Sequence, residues 1–480
     1  VHLIAKLLQI KLQINWRITL NLVEAKVHFI GIGGIGMSGI AEVLTNMGCT
    51  VSGSDLLNNA QVERLSALGV QIKEGHSKGN LPKDCDVVVY SSAVNLKNPE
   101  LLEAYARKIP VIQRAEMLSE LMRLKRGIAI GGTHGKTTTT SMTAAVLLHA
   151  GLDPTIVVGG RLDLIKSTAA LGKGHWLLAE ADESDASFLR LSPEIVVATN
   201  IDNDHLDHYK SFENLVSAFH EFLTRVPFYG LAIVCGEDPH LMGLIKNFPK
   251  RVMSYGFNQE SRLRASDLVN RAFEQEFKVS LDDKLLGSIK LKVPGKHNAL
   301  NALAAVAVGL ELKIEFSVIQ KGLESFCGVD RRLQVWGSYK QALFIDDYGH
   351  HPTEVRATIS ALKTSYPDKK LTVVFQPHRF SRTQSCWNDF LSCFNEADRV
   401  FLLDIYSAGE KPIPGITSIK LAENLKSQKK SDAQSLEVKF FDQKEALIKE
   451  LDGMVAGSDV ILTLGAGDVW KISAHFFPEG

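Results

Sequence analysis

Residues Ile128 to Thr140 read Ile-Ala-Ile-Gly-Gly-Thr-His-Gly-Lys-Thr-Thr-Thr-Thr. An apolar strand, a glycine-bracketed loop and a Lys-Thr pair opening a helix to about Ala150 form a cradle for nucleotide phosphates. Backbone N–H groups of Gly132, Thr133, His134 and Gly135, with the positive helix end, face the anion. Lys136 reaches the terminal phosphates, the Thr137 hydroxyl suits Mg²⁺, and Thr138 stands beside it. Position 130 is Ile where the general pattern has glycine, so the bracket Gly131 to Gly135 is one residue tighter. An ordinary Gly-rich turn with a surface lysine is the bland alternative. Gly-Lys-Thr followed by three more threonines argues against it, and the expected ligand is ATP.

The second chemical cluster is Trp176 to Asp185, an apolar strand that ends in carboxylates. Beside a phosphate loop it is the expected other half of a Mg²⁺ site, because that ion takes carboxylate, hydroxyl, water and phosphate oxygens. Glu180, nearest the strand end, is the best ligand candidate. Asp182, Glu183 and Asp185 are open between ligand, supporting group and solvated carboxylate, with the solvated reading preferred for Asp185. Downstream, Thr199 to Tyr209 places His205 and His208 among Asp202, Asp204 and Asp207. Such a run can hold a second metal through a neutral imidazole, or cap itself as a polar loop. Two metals beside a phosphate loop suit phosphoryl transfer. Asn298 and Asn301 share one face of an Ala-rich helix; Asn298 either caps that helix or contacts adenine. Arg331 and Arg332 lie between domains, where a guanidinium can fork onto phosphate.

Two further clusters flank these. Gly31-Ile-Gly-Gly-Ile-Gly36 follows an apolar strand, and Asp55 ends the next one. Alone this run suggests a dinucleotide enzyme, yet its glycines demand only a tight turn and a close backbone approach to a diphosphate. His76, Ser91, Ser92 and Arg114 are additional polar candidates, each equally readable as a cap or a solvated residue. Near the C-terminus, Asp346 to Pro352, Gln376 to Arg382 and Leu464 to Asp468 end three strands. His350 and His351 are adjacent and cannot easily share an ion, so a zinc site is rejected. Arg379 and Arg382 suit a carboxylate. Except for the Asn298–Asn301 and Arg331–Arg332 groups, these motifs fall at the carboxyl edges of strands, where open α/β sheets gather ligands.

The elements that must position these groups repeat a rhythm of apolar strand, loop and helix. Strands are expected at Val27–Ile30, Thr50–Ser52, Val87–Tyr90, Ile128–Ile130, Trp176–Ala179, Val196–Thr199, Ala232–Val234, Phe344–Ile345, Thr372–Phe375, Val400–Leu403 and Val460–Leu464. Their near-continuous Val/Ile/Leu content predicts parallel strands covered on both faces, hence several doubly wound α/β units. A chain of 480 residues accommodates about three domains. Boundaries fall between Arg114 and Gly127 and near Gly328 to Arg332. Basic and acidic residues balance at 54 each, so no electrostatic footprint for nucleic acid or anionic membrane exists. Cys49, Cys85, Cys235, Cys327, Cys386 and Cys393 lack metal-ligand spacing and read as reduced thiols of a cytosolic protein. Leu3 to Leu20 is apolar but interrupted by Lys6, Lys11 and Arg17, which argues against a signal peptide or membrane span. It reads as an amphipathic helix or an upstream extension with no assigned function.

Together these motifs resemble the Mur ligase family, from about Lys26 to Asp468. Carrying it are Gly31 to Gly39, Gly132 to Thr140, Glu180 to Asp185, Asp204 to Asp207, Asp346 to Pro352 and Gln376 to Arg382; the tight phosphate loop is what that family shows. The resemblance implies three α/β domains with mostly parallel, doubly wound sheets. After an N-terminal extension at 1–25 these are a Rossmann-like UDP-substrate domain at 26–122, a phosphate-loop ATPase domain at 123–329 and a Rossmann-like acceptor domain at 330–480. It implies a cytoplasmic ATP-dependent ligase, monomer or homodimer, joining L-alanine to the lactyl carboxylate of UDP-N-acetylmuramate through an acyl phosphate. The alternative is a relative that ligates a recycled peptide. Gly33, Gly34, Gly36, Met37, Asp55, His76, Ser91 and Arg114 would then meet the UDP substrate. Gly132 to Thr138, Asn298, Arg331 and Asp347 would meet ATP. Thr137, Glu180 and His205 would hold two Mg²⁺ ions, with Mn²⁺ able to substitute. Tyr348, His350, His378, Arg379 and Arg382 would surround the amino acid. Lys136, Glu180 and His205 would be catalytic. The group taking the amine proton stays open among His205, His350 and His378.

Overall fold

The computed structural model describes residues 22–91, 93–162, 167–427, 436–455 and 459–478. The apolar segment at the N-terminus and Ser92 lie outside them. The chain forms two compact units, one of residues up to Leu121 with Thr168–Leu171, the other of the remainder.

The first unit is built on a parallel sheet in the order Gln71–Glu74, Thr50–Asp55, Lys26–Ile30, Val87–Tyr90, Val111–Gln113. Val27, Phe29, Ile30, Val88 and Val89 are buried, as strands covered on both faces require. Strand order reverses at Lys26–Ile30, and the glycine loop leaves its carboxyl end. That is the switch point where such sheets bind ligands. The two edge strands were not expected from sequence. Gln71–Glu74 is short and mostly exposed and Val111–Gln113 is short and half-buried, so neither shows an apolar run.

The second unit holds two sheets. In the first, strands Val252–Gly256, Leu231–Cys235, Ile195–Ala198, Arg126–Gly131, Trp176–Glu180 and Thr155–Leu162 run side by side and parallel. An antiparallel meander, Leu263–Arg271, Glu274–Leu281 and Lys284–Leu291, extends it beyond Val252–Gly256. Sequence reading gave no strand in this stretch. Phe277 and Val279 are buried while their neighbours face water, and a strand with one wet face alternates instead of running apolar.

The remaining sheet is ordered Gln334–Tyr339, Ala342–Asp347, Asp459–Leu464, Lys370–Phe375, Arg399–Leu402, Glu437–Phe440. All its pairs are parallel but the first. Ile345, Val373, Phe375 and Leu462 feed one apolar core, and Phe344, Val374, Phe401 and Ile461 feed the other. Successive residues thus serve opposite faces, the signature of a doubly wound layer. Among the described residues no helix is long and apolar enough to cross a membrane.

Candidate active site

The phosphate loop is shaped from outside itself. Strand Arg126–Gly131 lies beside Ile195–Ala198, and the segment leaving the latter clasps the loop. The Thr133 N–H donates to the Asn200 carbonyl at 3.1 Å, and the His134 N–H to Asn200 Oδ1 at 2.8 Å. The Thr199 hydroxyl donates to the His134 carbonyl at 2.6 Å, and the Asp202 N–H to Thr133 Oγ1 at 2.9 Å. So close is the clasp that a Cβ on Gly132, whose φ is +134°, would lie 1.9 Å from Thr199 Oγ1. Helix Lys136–His149 starts after Gly135 in the left-handed region, leaving its first N–H groups as an anion site.

Glu180, Glu183, Lys136, Thr137 and His205 come together at the carboxyl ends of these strands. The Thr137 hydroxyl donates to Glu180 Oε1 at 3.1 Å. That hydroxyl–carboxylate pair is the oxygen donor set Mg²⁺ takes. Lys136 Nζ is 2.8 Å from Glu183 and also donates to the Gly132 and Thr133 carbonyls. His205 Nε2 stands 3.5 Å from Glu183 and 3.7 Å from Asp204. Its backbone φ of +59° is costly for a residue with a Cβ and aims the ring at the cluster. Glu183, left open by the sequence, is completely buried and is the pivot between the lysine and the histidine. Burial alone would lower Lys136, yet Glu183, Asp182 and Glu180 together raise it above the ordinary lysine range. The ammonium is therefore secured as a cation. Asp185 accepts from the Ser187 N–H at 3.0 Å and serves its own turn.

His134 does not stop at the loop. Its Nε2 is 2.8 Å from Asp202 Oδ2 and its Nδ1 is 3.3 Å from Glu354 on helix Pro352–Ser365. Burial opposes a charged ring, but the hydrogen bonds it donates to Asp202 and Glu354 outweigh burial and push His134 up to about 9. The Thr353 hydroxyl donates to the same Asp202 oxygen at 2.6 Å. His134, Asp202 and His351 cluster closely enough for a metal ion. Their donor atoms are already engaged with Glu354, Thr353 and the capped helix start, and a protonated His134 is no ligand.

A cavity of about 420 Å³ opens beside the loop. His134, Gly135 and Thr138 line it together with Tyr255, Asn298, Asn301 and Phe326. Asn298 is not the cap of its helix: Gly295 holds that position, and the Asn298 amide donates to the Pro294 carbonyl at 2.7 Å. Asn301 accepts from Thr139 at 3.1 Å and so ties this helix to the phosphate-loop helix. Of the paired arginines, Arg332 lines the cavity. Arg331 is fastened to Asp346 at 3.0 Å and to the Gly465 carbonyl at 2.6 Å, which turns it into the sheet edge. Asp347 lines the cavity too, but its carboxylate already accepts from the Leu333 and Gly349 N–H groups. Burial pushes it up to about 6.

The expected acceptor residues also meet. His350 and His378 have ring centroids 5.7 Å apart, Tyr348 lies 5.6 Å from His350, and Tyr406, absent from the expectation, stacks on His378 at 5.5 Å. Burial lowers His350 to about 3 and His378 to about 4, so both are neutral bases at physiological pH. Arg382 forks onto both oxygens of Asp204, at 3.2 and 3.1 Å, next to His205. Arg379 has φ +70°, a strained conformation of the kind stored at binding sites.

In the first unit a separate cavity of about 570 Å³ is lined by Gly31, Gly33, Gly34, Asp55, His76 and Ser91, among others. Asp55 accepts from the Gly33 N–H at 2.8 Å, and Asn59 donates to the Gly33 carbonyl at 3.1 Å. A Cβ on Gly33 would collide with both side chains. Asp55 thus braces the glycine loop. Gly36 gives room to Arg114, whose Nη1 would lie 3.0 Å from a Cβ there. Met37 is buried in the core at 1% exposure and offers its side chain to packing rather than to the cavity.

Comparison with known proteins bears on all three sheets. Residues 26–126 match the family described as Mur ligase family, catalytic domain; residues 130–309 match the Mur ligase middle domain; residues 331–467 match the Mur ligase, glutamate ligase domain. The chain is 54% identical over 459 residues to the UDP-N-acetylmuramate–L-alanine ligase of Bdellovibrio bacteriovorus, covering 94% of this chain and 98% of that protein. It is 51% identical to the enzyme of that name from Geotalea uraniireducens, covering 93% and 96%. Among solved structures, the UDP-N-acetylmuramate-alanine ligase of Thermotoga maritima superposes with a TM-score of 0.78 at 31% identity, covering 94% of this chain and 98% of that one.

Proposed function

The chain belongs to the Mur ligase family, and on that premise we propose how its residues join L-alanine to UDP-N-acetylmuramate with ATP. The observation that carries the reading is the convergence of Lys136, Thr137, Glu180, Glu183 and His205 at one phosphate-binding loop.

A carboxylate is a poor acyl donor because its leaving group is oxide. The γ-phosphoryl of ATP is transferred to an oxygen of the lactyl carboxylate, releasing ADP and leaving an acyl phosphate. The neutral amine of L-alanine then attacks the carbonyl carbon, the C–N bond forms, phosphate departs and the amine proton passes to a base. Lys136 supplies fixed positive charge where charge shifts between phosphate oxygens, and the N–H groups at the start of helix Lys136–His149 hold the phosphates in line. Thr137 and Glu180 are the residues that would hold Mg²⁺, with His205 at a second ion, and the metal supplies neutralisation of phosphate charge. The cavity lined by Tyr255, Phe326, Asn298 and Asn301 has the apolar walls and amide edges that suit an adenine ring. Tyr348, His350, His378, Arg379 and Arg382 are assigned to the amino acid, and the group that takes its proton stays open among His205, His350 and His378, the latter two being held neutral and weakly basic by burial. Domains at 26–122, 123–329 and 330–480 carry the UDP substrate, ATP and acceptor respectively. Six free cysteines fit a reducing, cytoplasmic setting.

Phosphate release with UDP-N-acetylmuramate and ATP, comparing L-alanine, glycine, L-serine and a stem tripeptide, tests the reading. Fastest turnover with L-alanine is expected. Turnover with the tripeptide and none with L-alanine would transfer the chain to peptide reuse.

A further inference from the structure

Beneath the nucleotide cavity of the first unit lies a polar network with no part in the chemistry above. Glu100, in the first turn of helix Pro99–Ala106, is completely buried. Its Oε2 accepts from His28 Nε2 at 2.8 Å and from the Ser54 hydroxyl at 2.9 Å. Its Oε1 accepts from the Ser77 N–H at 3.1 Å and the Asn80 amide at 3.0 Å, and is 3.3 Å from His76 Nδ1. His28, equally buried on the central strand, has Nδ1 2.9 Å from Ser52 Oγ. Burying a carboxylate this deeply is tolerated only when its lone pairs are met by donors, and here they are.

The network dictates the tautomer of His76. Ser54 gives its proton to Glu100, so toward His76 Nδ1, 3.0 Å away, it can only accept. Glu100 Oε1, the other neighbour of Nδ1, also only accepts. Nδ1 must therefore carry the hydrogen, and the lone pair of the neutral ring sits on Nε2. His76 is one wall of the 570 Å³ cavity. Other titratable groups around it are His28 and Glu100 below and Asp55 and Lys97 on the cavity wall.

We propose that Glu100, with Ser54, is a positioning residue that locks His76 in its Nδ1–H form, so that Nε2 accepts a hydrogen bond from an N–H or O–H of the nucleoside part of the sugar-nucleotide substrate. A diphosphate offers only acceptors and is left to the N–H groups of the glycine loop. The inference rests on the ligase reading for the identity of the substrate, though not for the state of the ring.

Long-range ¹H–¹⁵N spectra of the full-length protein labelled in histidine, with H76N for assignment, read the tautomer. A protonated Nδ1 and unprotonated Nε2 are expected; an Nε2–H form or a doubly protonated ring at neutral pH overturns the proposal. In steady-state kinetics Glu100→Gln should raise KM for UDP-N-acetylmuramate about tenfold, the scale of one charge-assisted hydrogen bond. Its kcat and its KM for ATP should stay within about twofold. An unchanged KM, or a general loss of turnover, speaks against positioning. Should Glu100→Gln not fold, Ser54→Ala and the wild-type spectrum decide. Absence of phosphate release by the wild type would sink the ligase reading, whereas the tautomer is read without turnover.

Discussion

Lys136 does its work against a buried partner. Removing its charge leaves Glu183, fully buried, without its cation and, on the proposed reading, strips phosphate stabilisation. Lys136→Ala should lower kcat by about 10²-fold or more, the scale of losing one preorganised electrostatic group, measured by single-turnover phosphate release. Near-normal turnover would remove Lys136 from the site. Arg379→Ala should raise KM for L-alanine far more than KM for ATP, and equal effects would move Arg379 away from the acceptor. At this scale the sequence was informative wherever chemistry is packed into a contiguous motif: Lys136, Thr137, Glu180 and His205 all converge. It could not single out Glu183 from three neighbouring carboxylates, nor prefer Arg332 over Arg331. Those choices depend on which way a side chain points after the backbone turns.

The phosphate loop is an element stabilised by another element. Its glycine at 132 exists because Thr199 and Asn200 pass within contact of the backbone. Gly132→Ala combines strained φ with a direct collision, so a loss of about 1–3 kcal/mol is expected together with weakened ATP binding. Thermal unfolding with and without ATP would check it; an unchanged melting temperature and unchanged ATP affinity would show that the clasp is loose. The strand-loop-helix unit was readable because each strand buried on both faces is a continuous apolar run. The meander from Leu263 to Leu291 and the edge strands were not, since half-wet strands share their composition with loops.

At the scale of the second unit, His134, Asp202 and Glu354 join the phosphate loop to helix Pro352–Ser365, which begins just after His350 and His351. His134 sits above its ordinary 6.5, at about 9, so its contribution to stability is fully present below pH 6.5 and disappears as pH rises through 9. The carboxylates of Asp202 and Glu354 are depressed, so their share is lost only in acid. Wild-type unfolding free energy should therefore fall by up to about 3 kcal/mol between pH 6.5 and 9, a change His134→Gln should largely lack. Parallel pH dependence in both proteins would show that the ring carries no such charge.

What the sequence determined by itself was the kind of chemistry: a phosphate cradle is made from consecutive N–H groups and one lysine, all local in the chain, and its glycines and threonines are visible in order. What only tertiary structure decided was pairing. Lys136 meets a carboxylate 47 residues away, and Arg382 meets one 178 residues away. Sheet order brings such partners to one edge, and burial then fixes which of several like residues must be charged, because an ion removed from water has to find its counter-ion within reach.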